Sequence, residues 1–132
     1  MKTAVYVPRD SSALSMGAES VARAIRTEAS KRGLEIDLIR NGSRGMAWLE
    51  PLVEVSTPKG RVAYGPVSAK DVPGLFESGL LSAASHSLNL GLTEEIPYFK
   101  NQERLTFVRV GITDPVSLPD YTRTGGFVGL AN

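Results

Sequence analysis

The chain has 132 residues, room for one domain but not two, and enough to bury about two-thirds of the surface its unfolded form would expose. Fifteen basic residues stand against 14 acidic ones, scattered rather than in blocks, and a formal net charge of +1 argues against a nucleic-acid-binding arm or an anionic-membrane patch. A hydrophobic share of 42% supports a folded core, and zero cysteines exclude disulfides, thiolate zinc sites, thiolate-held iron–sulfur clusters and a cysteine nucleophile.

The apolar run Ala4-Val5-Tyr6-Val7, cut off by Pro8, Arg9 and Asp10, is too short for a signal sequence or a membrane span, so a cytoplasmic location is expected. Residues 2–7 read as a buried strand ending in a turn. Arg9, Asp10, Ser11 and Ser12 follow it without a phosphate-loop pattern and read as a turn and helix entry. Ala18, Val21, Ala22, Ile25 and Ala29 recur at spacings of three and four, with Glu19 and Arg23 paired on the other face and Gly33 placed to terminate the helix. Leu34, Ile36 and Leu38 alternate with Glu35 and Asp37, a strand expected to pair in parallel with the first.

Pro51-Leu52-Val53-Glu54-Val55 and Arg61-Val62-Ala63-Tyr64 flank Pro58-Lys59-Gly60 as a β-hairpin. Ser68 is the expected cap of a short helix with Asp71 at its third position and Val72, Leu75 and Phe76 on its apolar face. The order β-α-β-β-β-α is compatible with a thioredoxin-like α/β domain over residues 1–81 and leaves another two-layer α/β fold open. From residue 82 to 104 periodicity fades and a long surface connection is expected. Residues 105–110 are β-rich, and Ser117 caps a helix with Pro119 and Asp120 in its first turn. The apolar, glycine-rich stretch 125–132 reads as a chain cut short or as the first part of a longer polypeptide.

Few residues carry chemistry. His86 is the only histidine and reads as a solvated or helix-terminal residue rather than a base. The adjacent Glu94-Glu95 pair points two carboxylates in different directions and reads as a solvated face. Trp48, the only tryptophan, is expected to cap the core, and Gly125-Gly126-Phe127 is too little to define a ligand loop. Taken alone, these residues describe a non-catalytic α/β domain.

Two stretches carry a resemblance. Residues 1–81 resemble the thioredoxin-like [2Fe–2S] ferredoxin domain of the small diaphorase subunit in respiratory complex I and related NAD-linked enzymes. Gly17-Ala18 matches that family's helix entry after a Cys-x4-Cys pair, and Gly45 and Pro51 match the loop that carries its Cys-x3-Cys pair. The match sets Pro8, Ala13, Ser43 and Ala47 at the four ligand positions, so it implies a degenerate domain without its cluster.

The second stretch comprises Leu92-Thr93-Glu94-Glu95-Ile96-Pro97-Tyr98-Phe99-Lys100-Asn101-Gln102-Glu103-Arg104, Val110-Gly111-Ile112-Thr113-Asp114-Pro115, Leu118-Pro119-Asp120-Tyr121 and Gly125-Gly126-Phe127. It resembles the opening of the FMN- and NADH-binding diaphorase subunit. The combination is most similar to the β subunit of cytoplasmic NAD-dependent, molybdenum-containing formate dehydrogenase, with an NAD-reducing hydrogenase as the alternative. The resemblance implies an α/β thioredoxin-like domain followed by an extended segment, 82–132, that leads into a diaphorase domain.

It further implies a parent oxidoreductase with FMN and a [4Fe–4S] cluster, while residues 1–132 themselves carry no catalytic, cofactor-binding or metal-binding residue and no cofactor. The implied role is a scaffold docked to the rest of the diaphorase subunit and to a [2Fe–2S] small subunit, with no nucleic-acid or membrane partner. An electron carrier is disfavoured by the missing cysteines, and a stand-alone small-molecule-binding regulatory domain is the further alternative, prompted by Ser43 and Arg44. Leu92, Ile96, Phe99, Phe107, Phe127 and Leu130 are expected to lack a core of their own, leaving residues 82–132 mobile or self-associated when isolated.

Overall fold

The computed structural model describes residues 2–131; Met1 and Asn132, the outermost residues of the two expected segments, lie outside the described residues. Strand β1 (Thr3–Tyr6) leads through a short helix α1 (Ser11–Ser15) into helix α2 (Ala18–Lys31), and the chain returns as β2 (Ile36–Ile39) in parallel with β1. Helix α2 forms where the three-and-four spacing places it, with Ala18, Val21, Ala22, Ile25 and Ala29 all buried. Gly33 ends it at φ +64°, and the amides of Gly33 and Leu34 close on the Ser30 and Ala29 carbonyls at 3.1 and 2.9 Å, a Schellman terminus that a Cβ-bearing residue would strain. Glu19 does not hold Arg23 as expected. Arg40, beyond β2, reaches it at 2.7 Å and holds its carboxyl below the ordinary range.

The expected hairpin forms, β3 (Val53–Thr57) pairing antiparallel with β4 (Gly60–Tyr64) around Pro58 and Lys59, and helix α3 (Val72–Glu77) follows. The Ser68 cap forms in reverse: the Asp71 carboxylate accepts from the Ser68 amide and hydroxyl at 2.8 and 2.6 Å, and the helix begins one residue after Asp71.

The stretch read as a long connection instead supplies strand β5 (Asn89–Leu92), so the sheet runs β2-β1-β3-β4-β5 and extends past residue 81. Pairing of β5 with β4 overrides its weak strand propensity. The Asn89 side-chain amide donates to the Ala84 carbonyl at 2.9 Å and to the Tyr64 hydroxyl at 3.3 Å, and the register shifts between Ala63 and Tyr64. His86 sits at the entry to β5, where its ring nitrogen accepts from the Leu88 amide at 3.1 Å. Helix α4 (Pro97–Lys100) follows β5 after the turn Thr93–Glu95.

Residues 105–110 form turns rather than a strand. Both sheet edges, β2 and β5, lie elsewhere, and the segment crosses a sheet face instead of extending an edge. Helices α5 (Leu118–Arg123) and α6 (Val128–Ala131) complete the described residues, and Ser117 caps α5 as expected, accepting from the Asp120 amide at 3.2 Å.

Strand alternation sorts the sheet into two faces. Val5, Val53, Val55, Val62 and Tyr64 pack with α2 and α3 in the main core. On the opposite face Ala63 joins Met46, Leu52 and Phe99 in a smaller cluster, with Ile96 against it. Leu92, Ile96 and Phe99 therefore do find a core, contrary to expectation, while Phe107, Phe127 and Leu130 remain exposed. Among the described residues no helix is long and apolar enough to cross a membrane.

Candidate functional site

Because β1 and β2 run in parallel, the loops that follow them leave the same end of the sheet. Their backbones stay joined past the strands, with the Val7 amide on the Ile39 carbonyl and the Arg9 amide on the Asn41 carbonyl, each at 3.0 Å. These are the two loops that hold Pro8, Ala13, Ser43 and Ala47. Pro8 and Ala13 are buried, Ala13 within the main core, whereas Ser43 is half-buried and Ala47 is exposed at the start of the turn Ala47–Leu49. Ser43 approaches the first loop: it lines a cleft of about 560 Å³ with Asp10, Arg109, Asp114 and Tyr121. Its hydroxyl is already committed, donating to Glu50 at 2.9 Å and accepting from the Gly45 amide at 2.9 Å.

What fills this end of the sheet is an ion-pair cluster. Glu54, on β3, lies opposite Tyr6 on β1 and points away from α2. Arg44, from the second loop, donates to it from Nη2 at 2.9 Å and Nε at 3.4 Å, and both side chains are only 2% exposed. Asn41 Nδ2 donates to the same carboxylate at 3.2 Å, and Arg61 on β4 stands 3.6 Å away with its guanidinium 3.5 Å over the Tyr6 ring. Arg44 also bonds Glu94 at 2.9 Å, which in turn holds Arg104 at 2.8 Å, and Arg44 and Arg104 both lie over the Phe99 ring. A carboxylate this thoroughly paired is no free base; it fixes positions.

The sequence reading missed Glu54, Asn41 and Arg61. Strand alternation in Val53-Glu54-Val55 puts Glu54 on the face away from the main core, which reads as solvent unless that face is covered. Glu94 and Glu95 turn apart and stay exposed, as expected, although Glu94 also joins the cluster and Glu95 holds Lys100 at 2.6 Å. Trp48 does not cap the core. Met46 takes that place, and Trp48 is 61% exposed with its ring edge-on to Tyr98 at 5.2 Å.

Glu50 is a second buried carboxylate, held by the Leu52 amide at 3.0 Å and the Ser43 hydroxyl. Burial pushes its carboxyl above the ordinary value of 4.5, against the lowering pull of those two donors. A raised folded-state value means that the proton's stabilising contribution is complete below the unfolded value and is lost as pH rises through the folded one. Urea midpoints across a pH series should therefore decline from about pH 4.5 upward. Glu50→Gln should flatten that decline and be at least as stable as the native chain at neutral pH. A variant with the native slope would remove Glu50 as its source.

No family model matches the chain, and no curated protein matches it. Solved structures do. The chain is similar to the thioredoxin-like [2Fe–2S] ferredoxin from Aquifex aeolicus at 20% identity, over 68% of this chain and 97% of that one, with a TM-score of 0.55. A cysteine-to-serine variant of that ferredoxin matches at 22% identity, over 67% and 98% of the two chains, with the same TM-score. At this identity the likeness establishes the fold: α/β, thioredoxin-like, of the [2Fe–2S] ferredoxin type.

Proposed function

We propose that this chain is a non-catalytic docking scaffold, a ferredoxin-type fold that has given up its cluster. The residues at the four positions aligned with cluster ligands do not fit a [2Fe–2S] group. Pro8, Ala13 and Ala47 carry no side-chain donor, and the Ser43 hydroxyl is engaged by Glu50 and the Gly45 amide. With no thiolate anywhere in the chain, electron transfer through such a cluster is not its role.

The observation that carries the docking reading is the apolar surface of the last quarter of the chain. Leu105, Phe107, Val108, Val116, Leu118, Val128 and Leu130 are all exposed, Leu130 at 83%, on a segment joined to a well-packed domain. Exposed apolar groups on this scale mark a surface that another protein covers. The resemblance in sequence supports the finer reading: the chain belongs to the NADH-dehydrogenase-like β subunit of an NAD-dependent formate dehydrogenase. In that reading the FMN and the [4Fe–4S] cluster reside in the remaining diaphorase body, and the partners are that body and a [2Fe–2S] small subunit in the cytoplasm. An NAD-reducing hydrogenase parent is the alternative.

Titration calorimetry of the chain with the purified diaphorase body and, separately, with the [2Fe–2S] subunit tests the proposal. Saturable binding to at least one is expected, weakened by Leu130→Asp or Phe107→Asp in variants whose circular dichroism is native. Absence of binding to both would overturn it.

A further inference from the structure

Residues 105–131 carry the apolar surface, yet very little holds them to the rest of the molecule. Among the described residues, every hydrogen bond and ion pair made by residues 113–131 has its partner within residues 109–131. The polar attachments from 105–131 to the sheet domain converge on two consecutive carbonyls. Gly111 O accepts from Asn41 Nδ2 at 2.7 Å and from Arg61 Nη1 at 2.8 Å, and Ile112 O accepts from Arg61 Nη2 at 2.8 Å.

The groups that make these contacts are themselves immobilised. Asn41 and Arg61 both lean on Glu54, and Arg61 is stacked on Tyr6. Arg44, held by Glu54 and Glu94, runs directly beneath Gly111. A Cβ at position 111 would lie 2.2 Å from its Cδ and 2.5 Å from its Nε, and the backbone there has φ +78°. Position 111 thus demands glycine on two independent grounds, steric room and backbone sign.

We infer that Asn41, Arg44 and Arg61, braced by Glu54, form a latch whose catch is the Gly111–Ile112 backbone, and that this latch sets the direction in which the apolar segment 105–131 is presented. In place of a metal cluster tying loops together, Asn41 of the second loop and Arg61 of β4 tie the fold to its docking segment. The inference rests on the docking reading for its purpose, but its geometry stands apart from it.

Hydrogen exchange on the isolated chain, followed by mass spectrometry, tests the latch. Arg61→Met keeps apolar bulk beside Tyr6 and removes two of the three donors. Amides in 105–131 should exchange about tenfold faster or more, as expected for losing charge-assisted hydrogen bonds, while α2 and β3 keep their native protection. Gly111→Ala should do the same. Native-like slow exchange in Arg61→Met, or full exchange of 105–131 already in the native chain, would overturn the latch. These measurements use no partner, so a chain that binds neither subunit removes the docking reading while the latch stands or falls on exchange alone.

Discussion

Replacing Arg44 with alanine is expected to lower the stability of the chain by about 3–5 kcal/mol, the usual cost of stranding a buried charge. The magnitude follows from burial. Glu54 is 2% exposed and takes its shortest ionic contact from Arg44 at 2.9 Å; what remains is the Asn41 amide and an arginine at 3.6 Å. Desolvation, not the strength of the pair, sets the effect. The double variant Arg44→Ala, Glu54→Gln should therefore cost clearly less than the sum of the two single changes, because it removes the buried carboxylate charge together with its closest partner. Urea denaturation of the four proteins completes the cycle. A loss for Arg44→Ala within the range of an ordinary surface substitution, about 0.5 kcal/mol, would mean that the pair does not hold this end of the sheet together.

Ile25→Ala should cost about 2–5 kcal/mol. Ile25 is fully buried at the middle of α2 and belongs to the main core with Val5, Val55 and Leu75. Cutting its side chain back to a methyl opens a cavity between helix and sheet. A thermal or urea midpoint near native would place α2 elsewhere.

The parts of the fold that could be read from sequence are those whose local pattern and tertiary surroundings agree. Helix α2 has both a three-and-four apolar face and a glycine where a left-handed residue is needed, and β1, β2 and the hairpin each have β-branched residues bounded by turn residues. Strand β5 was hidden because Asn89-Leu90-Gly91-Leu92 has little strand character of its own: Gly91 lies at φ +79°, and the Asn89 carboxamide oxygen bonds its amide at 2.8 Å. The run at 105–110 misled for the opposite reason. Its residues favour a strand, but capture of the Gly111 carbonyl by Asn41 and Arg61 carries the chain across a face with no strand alongside.

The candidate site was legible only as an absence. That no thiolate is present follows from composition, and the resemblance alone sets Pro8, Ala13, Ser43 and Ala47 at the ligand positions, whereas the Arg44–Glu54 cluster depends on which side of the sheet is covered. That covering comes from Phe99, Glu94 and the Gly111 backbone, tens of residues away in sequence.

Anaerobic incubation of the purified chain with ferrous iron and sulfide, followed by desalting, iron and acid-labile sulfide analysis and visible absorption, tests the central claim most directly. The account predicts a colourless protein with no stoichiometric iron or sulfide, since neither loop offers a thiolate and Arg44 and Glu54 are bound to each other beneath the second. Two irons and two sulfides per chain, with the absorption of a [2Fe–2S] cluster, would contradict it.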